Sequence, residues 1–83
     1  MTVNKSDFRK RIVPDELSDV DAVGVYATVE LRIPHGTGYI CQRIQTPGLW
    51  GIEGGTDNYL EAIFQEESET LTAMLNQLGV TVN

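Results

Sequence analysis

The sequence has few side chains that perform covalent chemistry: one cysteine, Cys41, and one histidine, His35. A lone cysteine cannot form an internal disulfide, and it cannot supply a metal site with several thiolates. His35 falls in a predicted hairpin loop and Cys41 in a predicted strand, so we expect a surface histidine and a small buried thiol that do not meet. We therefore predict that the protein is not an enzyme and has no catalytic residues, no cofactor and no bound metal.

Basic residues are also scarce, and neither lysine nor arginine occurs after Arg43. The net charge is -6, yet residues 1–11 carry four basic residues against one acid and are +3, which leaves -9 for the rest. Nucleic-acid binding relies on lysines and arginines that neutralise phosphates, so we do not expect direct nucleic-acid binding. Residues 1–21 show no sustained hydrophobic period, and we interpret them as a flexible basic N-terminal arm beside one domain of residues 22–83.

Long hydrophobic runs are missing as well. No apolar stretch approaches the roughly 20 residues that a transmembrane helix needs, so we predict no membrane span. Residues 1–16 lack the apolar core and the small-residue cleavage site of a secretory signal, which favours a cytoplasmic protein. With 83 residues, 41% of them hydrophobic, the chain is predicted to form one globular domain with a single core.

The clearest pattern is the strict alternation of residues 22–33, where small or branched apolar side chains occupy every second position. A period of two, rich in valine, predicts a β-strand. The sequence PHGTG at residues 34–38 then predicts a hairpin loop of about five residues. The chain returns through a second predicted strand at residues 39–45.

The register of this second strand has two solutions. Simple pairing across a five-residue loop places Arg43 on the valine face and exposes Ile40 and Ile44. A β-bulge at one of the loop glycines shifts the register by one residue and buries the isoleucines instead. We prefer the bulge, because it leaves Arg43 outside the core beside Glu30.

Two further elements complete the predicted fold. Leu49–Glu53 is short and apolar and predicts a third strand, whereas residues 58–78 predict a helix that Asp57 or Asn58 caps and Gly79 ends. The apolar stripe of this helix comprises Leu60, Ile63, Phe64, Leu71, Met74, Leu75 and Leu78. We predict an α+β fold: a three-stranded antiparallel meander with one long amphipathic C-terminal helix packed on one face. Residues 80–82 predict a short terminal edge strand.

Glycine is concentrated around the only tryptophan, in TPGLWGIEGG at residues 46–55. Glycine-rich loops before a helix hold phosphate in many proteins, but this loop lacks the GxGxxG and P-loop patterns and adds Glu53 and Asp57 instead of a cation. The glycines are better explained by tight chain turns beside the indole. The alternative is that Trp50 is partly exposed as an interface anchor, because tryptophan is enriched in binding hot spots.

Carboxylates are abundant in and before the predicted helix. Glu67 takes a place in the helical stripe where leucine is expected, so we expect it at the edge of the core, in solvent or beside Arg32 or Arg43. Four residues with carboxylate or amide oxygens lie near the helix start: Glu53, Asp57, Asn58 and Glu61. They lack the spacing of a calcium-binding loop, and we interpret them as solvated capping acids.

The run GLWGIEGGTDNYLEAIFQEESETLTAMLNQLGV, residues 48–80, resembles the C-terminal part of small uncharacterised proteins of bacteria and their phages. Those proteins place a Gly-Leu-Trp-Gly-Ile-Glu segment, here residues 48–53, between a strand pair and an acidic amphipathic helix. No activity is assigned to that group. The resemblance therefore implies an architecture and a prokaryotic or phage origin, and nothing about chemistry.

These observations predict a non-catalytic protein–protein interaction module, whose partner is another protein or a second copy of the chain. One helix shields only one side of a sheet, and burying the other side in a dimer would help so small a core. The predicted partner-binding residues are Trp50, Tyr26, Glu53, Asp57 and Glu61. The alternative is an acidic inhibitor of phage type that mimics nucleic acid toward a basic protein, with Asp57, Glu61, Glu66 and Glu69 in place of phosphates.

Overall fold

A computed structural model describes residues 1–15, 22–53 and 57–83. Its regular elements, in chain order, are β1 (Thr2–Val3), a 3₁₀ turn (Lys5–Asp7), β2 (Arg9–Pro14), β3 (Ala22–His35), β4 (Gly38–Gln45), β5 (Leu49–Glu53), α1 (Asp57–Gln77) and β6 (Thr81–Val82). The described residues form an α+β fold with one α-helix and an antiparallel sheet, as the sequence predicts. Residues 16–21 of the predicted arm and residues 54–56 of the glycine-rich loop lie outside the described residues.

β3 is the centre of the main sheet and pairs along both of its edges. On one edge, β2 pairs antiparallel with residues 23–28. Because β2 occupies that edge, β4 and β5 share the other one, where β4 pairs with residues 28–35 and β5 with residues 22–25. The described sheet therefore has four strands, and the prediction of a three-stranded meander is wrong.

The additional strand, β2, comes from the segment that we interpreted as a basic arm. Its sequence, RKRIVP, shows little apolar alternation, because lysine and arginine hold their charged ends in water while their backbone pairs with a neighbour. The preceding residue, Phe8, is buried in the core at 5% exposure and fixes the point where the strand begins. Backbone pairing and one aromatic side chain thus place the segment in the sheet.

β3 and β4 are joined by a two-residue turn at residues 36–37 instead of the predicted five-residue loop. Gly36 has a φ of 62°, which glycine adopts without steric cost and which tight hairpin turns require. The cross-strand pairs include Val29 with Ile44, Glu30 with Arg43 and Ile33 with Ile40. Ile44 packs against the core and Arg43 lies beside Glu30, as we preferred, but Ile40 is 50% exposed, so its predicted burial is wrong. The predicted bulge is also wrong, because the two-residue turn sets this register.

α1 packs on one face of the sheet and closes the core. The larger cluster contains Phe8, Ala27, Val29, Leu31, Leu71, Leu75 and Val80. The smaller cluster contains Val25, Ile52 and Ile63. Leu71 and Leu75 are fully buried, and each stabilises the fold by about 1.5 to 3 kcal/mol through apolar burial. Leu78, which we placed in the apolar stripe, is 62% exposed because α1 ends one residue before it.

The two chain ends meet in a small parallel sheet, where β1 pairs with β6. Gly79, with a φ of 85°, ends α1 and turns the chain, and the N–H of Val80 donates to the Leu75 carbonyl at 2.9 Å. A terminal strand is present, as predicted, at Thr81–Val82. It pairs with the N-terminal residues instead of joining the main sheet.

Candidate functional site on the outer face of the sheet

The face of the main sheet that points away from α1, which we call the outer face, is the candidate site. Side chains alternate between the two faces along a strand, and residues that pair across two strands point to the same face. Val25, Ala27 and Val29 belong to the two core clusters, so the even-numbered side chains of β3 lie on the outer face. The pairing register then assigns every neighbouring side chain to one face or the other.

Trp50 lies against the outer face above Gly24. A Cβ atom built on Gly24 would stand 2.6 Å from Trp50 Cδ2 and would overlap Cε3, so the glycine makes room for the indole. Trp50 Nε1 donates a hydrogen bond to the Pro47 carbonyl at 2.8 Å, and the ring stacks beside Tyr26 with 6.5 Å between the centroids. Three contacts thus hold the indole, while 47% of Trp50 remains exposed.

The glycines that flank Trp50 shape its strand. Gly48 and Gly51 have φ values of 84° and 75°, in the left-handed region that favours glycine. Between the pairs Val23–Ile52 and Val25–Leu49 the β5 strand contains one residue more than β3, which is a β-bulge. This part of the glycine-rich loop therefore bends a strand beside the indole, in agreement with the interpretation from the sequence.

All four arginines of the chain lie on the outer face, and the sequence pattern did not predict that Arg9 and Arg11 join Arg32 and Arg43 there. On one side of β3, Arg9 pairs with Thr28 and Arg11 pairs with Tyr26. The remaining two are Arg43, which pairs with Glu30, and Arg32, an even-numbered residue of β3. Arg9, Arg11, Arg32 and Arg43 line a groove of about 840 Å³.

Acidic residues are concentrated on the opposite side of the molecule. α1 contains Asp57, Glu61, Glu66, Glu67 and Glu69 and no lysine or arginine. Lys10 Nζ donates to Glu61 Oε2 at 2.9 Å and Gln65 Nε2 donates to Glu61 Oε1 at 3.1 Å, and these hydrogen bonds lower the pKa of Glu61 below its ordinary value of 4.5. Charge is therefore segregated, with the arginines on the outer face and five acids on the helix that covers the other face.

The predicted partner-binding residues do not form one continuous group. Tyr26 and Trp50 are in contact on the outer face. Glu53 ends β5 and Asp57 begins α1, and both side chains are exposed. Glu61 contacts a lysine of β2 on the helix side of the sheet. The two aromatic residues are thus the members that share a surface with the arginines.

Glu67 has a different partner from the ones we expected. Thr46 Oγ1 donates to Glu67 Oε1 at 2.8 Å and accepts the backbone N–H of Ala27 at 3.1 Å. Thr46 is 2% exposed, so the hydrogen bond that it donates is shielded from water. This bond gives the Glu67 carboxylate a hydrogen-bond donor at the edge of the core, in place of Arg32 or Arg43. The contact ties α1 to the junction between β4 and β5.

The two reactive side chains, Cys41 and His35, lie apart from the aromatic pair. Cys41 is exposed, so the prediction of a buried thiol is wrong; its register opposite Arg32 places it on the outer face. His35 is exposed beside the hairpin turn, as predicted. Across the described ranges, no three His, Cys, Asp or Glu side chains are grouped in a way that would hold a metal ion.

Comparisons with protein-family models, with curated proteins and with solved structures found no match for this chain. The resemblance carried by residues 48–53 therefore stays a prediction. None of the helices in the part of the chain that the structure describes combines the length and the apolar content needed to cross a membrane.

Proposed function

We propose that the protein is a non-catalytic protein–protein interaction module that self-associates through its outer face, with Trp50 as the anchor. The observation that carries this proposal is the state of the indole. It is held by Gly24, Tyr26 and the Pro47 carbonyl, yet it is 47% exposed. Tryptophan is enriched among the residues that contribute most to binding at protein interfaces, and a fixed, half-exposed indole fits that role.

Pre-organisation is the physical advantage of this arrangement. Binding normally costs about 0.5 to 1.5 kcal/mol for each flexible side chain that becomes ordered. The indole is already fixed by its hydrogen bond and its stacking contact, so most of that cost falls on folding. The exposed part of the ring is then available for burial against a partner at little entropic cost.

A second copy of the chain fits this surface because its two ends are complementary. Along β3, the aromatic end of the surface lies over Gly24 and the cationic end includes Arg32. Thr28 lies midway between them, about 13 Å along the strand from each. A two-fold axis between two outer faces and perpendicular to β3 reverses the strand direction. It places Trp50 of one copy over Arg32 of the other, where a cation–π contact contributes about 0.5 to 2 kcal/mol.

Sedimentation velocity over concentrations from about 1 μM to about 1 mM tests the proposal. Wild-type protein is expected to show a mass that rises with concentration. Trp50→Ala removes two indoles from each dimer, and each indole is expected to contribute about 2 kcal/mol to the free energy of association. The variant should therefore associate about 1000-fold more weakly. Leu78→Ala is the matched control, because Leu78 is equally apolar and 62% exposed but lies at the end of α1.

Circular dichroism on both variants separates loss of association from loss of fold. A wild-type protein that stays monomeric at every concentration refutes self-association through this face. Equal weakening by Leu78→Ala and Trp50→Ala would show that general apolar exposure drives association, and it would refute the role given to the indole.

The acidic inhibitor remains the second candidate, and the acid content of α1 favours it. Asp57, Glu66 and Glu69 are exposed along a helix without basic residues, whereas Glu61 is already paired with Lys10. A polyanion mimic binds its basic target through screened charges, so rising salt should weaken capture of a basic protein steeply. Capture that is unaffected by salt would eliminate this candidate.

A further inference from the structure

β3 has an open edge beyond Arg9, the first residue of β2. Backbone groups of a strand point alternately to its two neighbours. The Ala22 carbonyl accepts from Asp15 on the β2 side, and the Ala27 carbonyl accepts from Thr46 on the β4 side. Even-numbered residues of β3 therefore point their N–H and C=O groups toward β2, as far as Thr28, which is paired with Arg9.

Past that pair the β2 side has no strand. The chain before Arg9 leaves the sheet at the buried Phe8 and forms the 3₁₀ turn Lys5–Asp7. In the described residues, no backbone group pairs with the N–H and C=O groups of Glu30 and Arg32 on this side. The N–H and C=O groups of these two residues are therefore the unpaired donors and acceptors of an edge strand, with which another strand can pair.

The 840 Å³ groove follows this open edge. Residues 1–3 and the β3 residues Thr28, Glu30 and Arg32 are among those that line it. Arginines stand at both ends of the edge, with Arg9 beside Thr28 and Arg32 on the strand itself. Five lysine or arginine side chains line the groove against two acids, Asp7 and Glu30, and Glu30 is paired with Arg43 at 3.6 Å. The groove therefore combines unpaired backbone groups with a net positive lining.

We propose that this groove binds an extended acidic segment of a partner protein, which adds to the open edge of β3 as a further strand. Strand addition supplies main-chain hydrogen bonds to Glu30 and Arg32, and alternate side chains decide which sequence fits. The added side chain opposite Arg32 points to the outer face and favours a carboxylate, since guanidinium groups bind carboxylates in a bidentate manner. The added side chain opposite Glu30 lies on the same face next to Arg9, and Arg43 is paired with the Glu30 carboxylate there.

The other side chains of the added strand point toward the helix side of the sheet. There they approach Val3 and Ile33, which are partly buried and pack against the core. Apolar residues fit these positions, so the recognised segment alternates acidic and apolar residues. This pattern is a consequence of the strand period of two, and it distinguishes the proposal from simple attraction between opposite charges.

A peptide fits the edge better than a nucleic acid does. The edge offers two N–H donors and two C=O acceptors, and a peptide backbone supplies both kinds of partner. A phosphodiester backbone has acceptors but no N–H donors, so it would leave the two carbonyl groups unpaired. A long polyanion would also meet the acidic residues that give the chain beyond residue 11 a net charge of -9.

Fluorescence anisotropy with a labelled peptide of ten alternating glutamate and valine residues tests the proposal. We expect saturable binding that Arg9→Gln and Arg32→Gln each weaken by about threefold to tenfold, a loss typical of a solvent-accessible charge-assisted hydrogen bond. Lys5→Gln is the matched control, since it removes the same charge from the only basic residue that does not line the groove. It should leave the affinity unchanged.

Two further probes test strand addition itself. A version of the peptide methylated on all its backbone nitrogens cannot donate to the edge, whichever set of N–H groups faces it, and should not bind. Hydrogen exchange followed by NMR should show that the amide protons of Glu30 and Arg32 become protected when the unmodified peptide is added. Unchanged exchange at both amides, or equal binding of the methylated peptide, overturns the proposal.

Binding of other ligands tests the specificity of the groove. Equal affinity for a glutamine–valine peptide overturns the acidic preference, and tighter binding of a single-stranded oligothymidine overturns the choice of a peptide. The groove does not contain Trp50, so Trp50→Ala should still bind the peptide. The two proposals share Arg32 but not Trp50, Arg9 or the open backbone edge. Loss of self-association in Trp50→Ala with retained peptide binding, or loss of peptide binding in Arg9→Gln with retained self-association, therefore distinguishes the two proposals.

Discussion

Replacement of Gly24 by alanine is the most direct test of how the indole is held. The added Cβ atom would stand 2.6 Å from Trp50 Cδ2, whereas two carbon atoms in contact are about 3.5 to 4.0 Å apart. The indole must therefore move outward by about 1 Å or more. That movement disturbs the hydrogen bond to the Pro47 carbonyl and the stacking on Tyr26 together.

The expected cost follows from two opposed effects. Forcing an extra carbon into a packed contact typically costs about 1 to 3 kcal/mol. Gly24 has an extended conformation that alanine adopts freely, and glycine inside a strand is about 0.5 to 1 kcal/mol less stable than alanine. We therefore expect Gly24→Ala to lower the free energy of unfolding by about 0.5 to 2 kcal/mol.

The assay combines urea unfolding with tryptophan fluorescence. Trp50 is the only tryptophan, so the emission spectrum reports on this indole alone. Emission should shift toward that of a water-exposed indole in Gly24→Ala. In a double-mutant cycle, the same substitution in a Trp50→Ala background meets no ring and should be neutral or stabilising by about 0.5 kcal/mol.

If Gly24→Ala loses the same stability in both backgrounds and leaves the emission of Trp50 unchanged, the glycine serves the backbone and not the indole. Trp50 would then rest on the sheet without being fixed by it, and the argument from pre-organisation would lose its basis.

Three other substitutions probe the remaining contacts. Thr46→Val leaves the N–H of Ala27 without its side-chain acceptor in a buried position, and urea unfolding should show a loss of about 1 to 3 kcal/mol; a change near zero would contradict this. Lys10→Met should raise the pKa of Glu61 toward its ordinary value in an NMR titration, and an unchanged pKa would contradict the assignment of the lysine as its main cause. Because the folded-state pKa is lowered, the stability that this pair contributes is present above about pH 4.5 and is lost as the pH falls through the lowered value. Phe8→Ala should cost about 3 to 5 kcal/mol in thermal unfolding, whereas a detached N-terminal arm would leave stability unchanged.

The long elements could be predicted from the sequence because their periods are strong. Strict alternation defines β3, and apolar spacing with an N-terminal acid and a terminal glycine defines α1 within one residue at each end. The short strand Leu49–Glu53 was predicted with its observed bounds. For β3 and α1, burial against each other agrees with the local pattern.

The elements that the sequence did not reveal are those in which local pattern and environment disagree. β2 has cationic side chains on both faces because it lies at an edge, where a strand needs no buried face. The tight turn at residues 36–37 depends on one positive φ value, and the sequence allowed glycines to be used in either of two registers. Glu67 accepts a hydrogen bond from Thr46, which is 21 residues away in sequence, and hydrophobic periodicity does not predict a contact of that kind.

The candidate site was predictable only in part, for a related reason. The exposed tryptophan was anticipated from its residue type, but the arginine groove requires knowledge of which strands are neighbours. Arg9 and Arg11 have the spacing that places two side chains on one strand face, but that signal has meaning only once β2 is known to pair with β3. The net charge of the chain does not indicate the groove, because most of the negative charge comes from acids that lie elsewhere, including five on α1.

Charge segregation and the open edge have the same structural origin. A single helix covers one face of β3, so the alternation that buries the valines necessarily places the even-numbered side chains on the uncovered face. β2 begins only at Arg9 because Phe8 turns into the core, and this same turn exposes the backbone of Glu30 and Arg32 beside the arginines. A variant that extends β2 by preventing this turn would therefore close the proposed groove, and it would lose a buried aromatic side chain in doing so. The open edge is thus linked to the stability of the core, and removing the edge is expected to destabilise the domain.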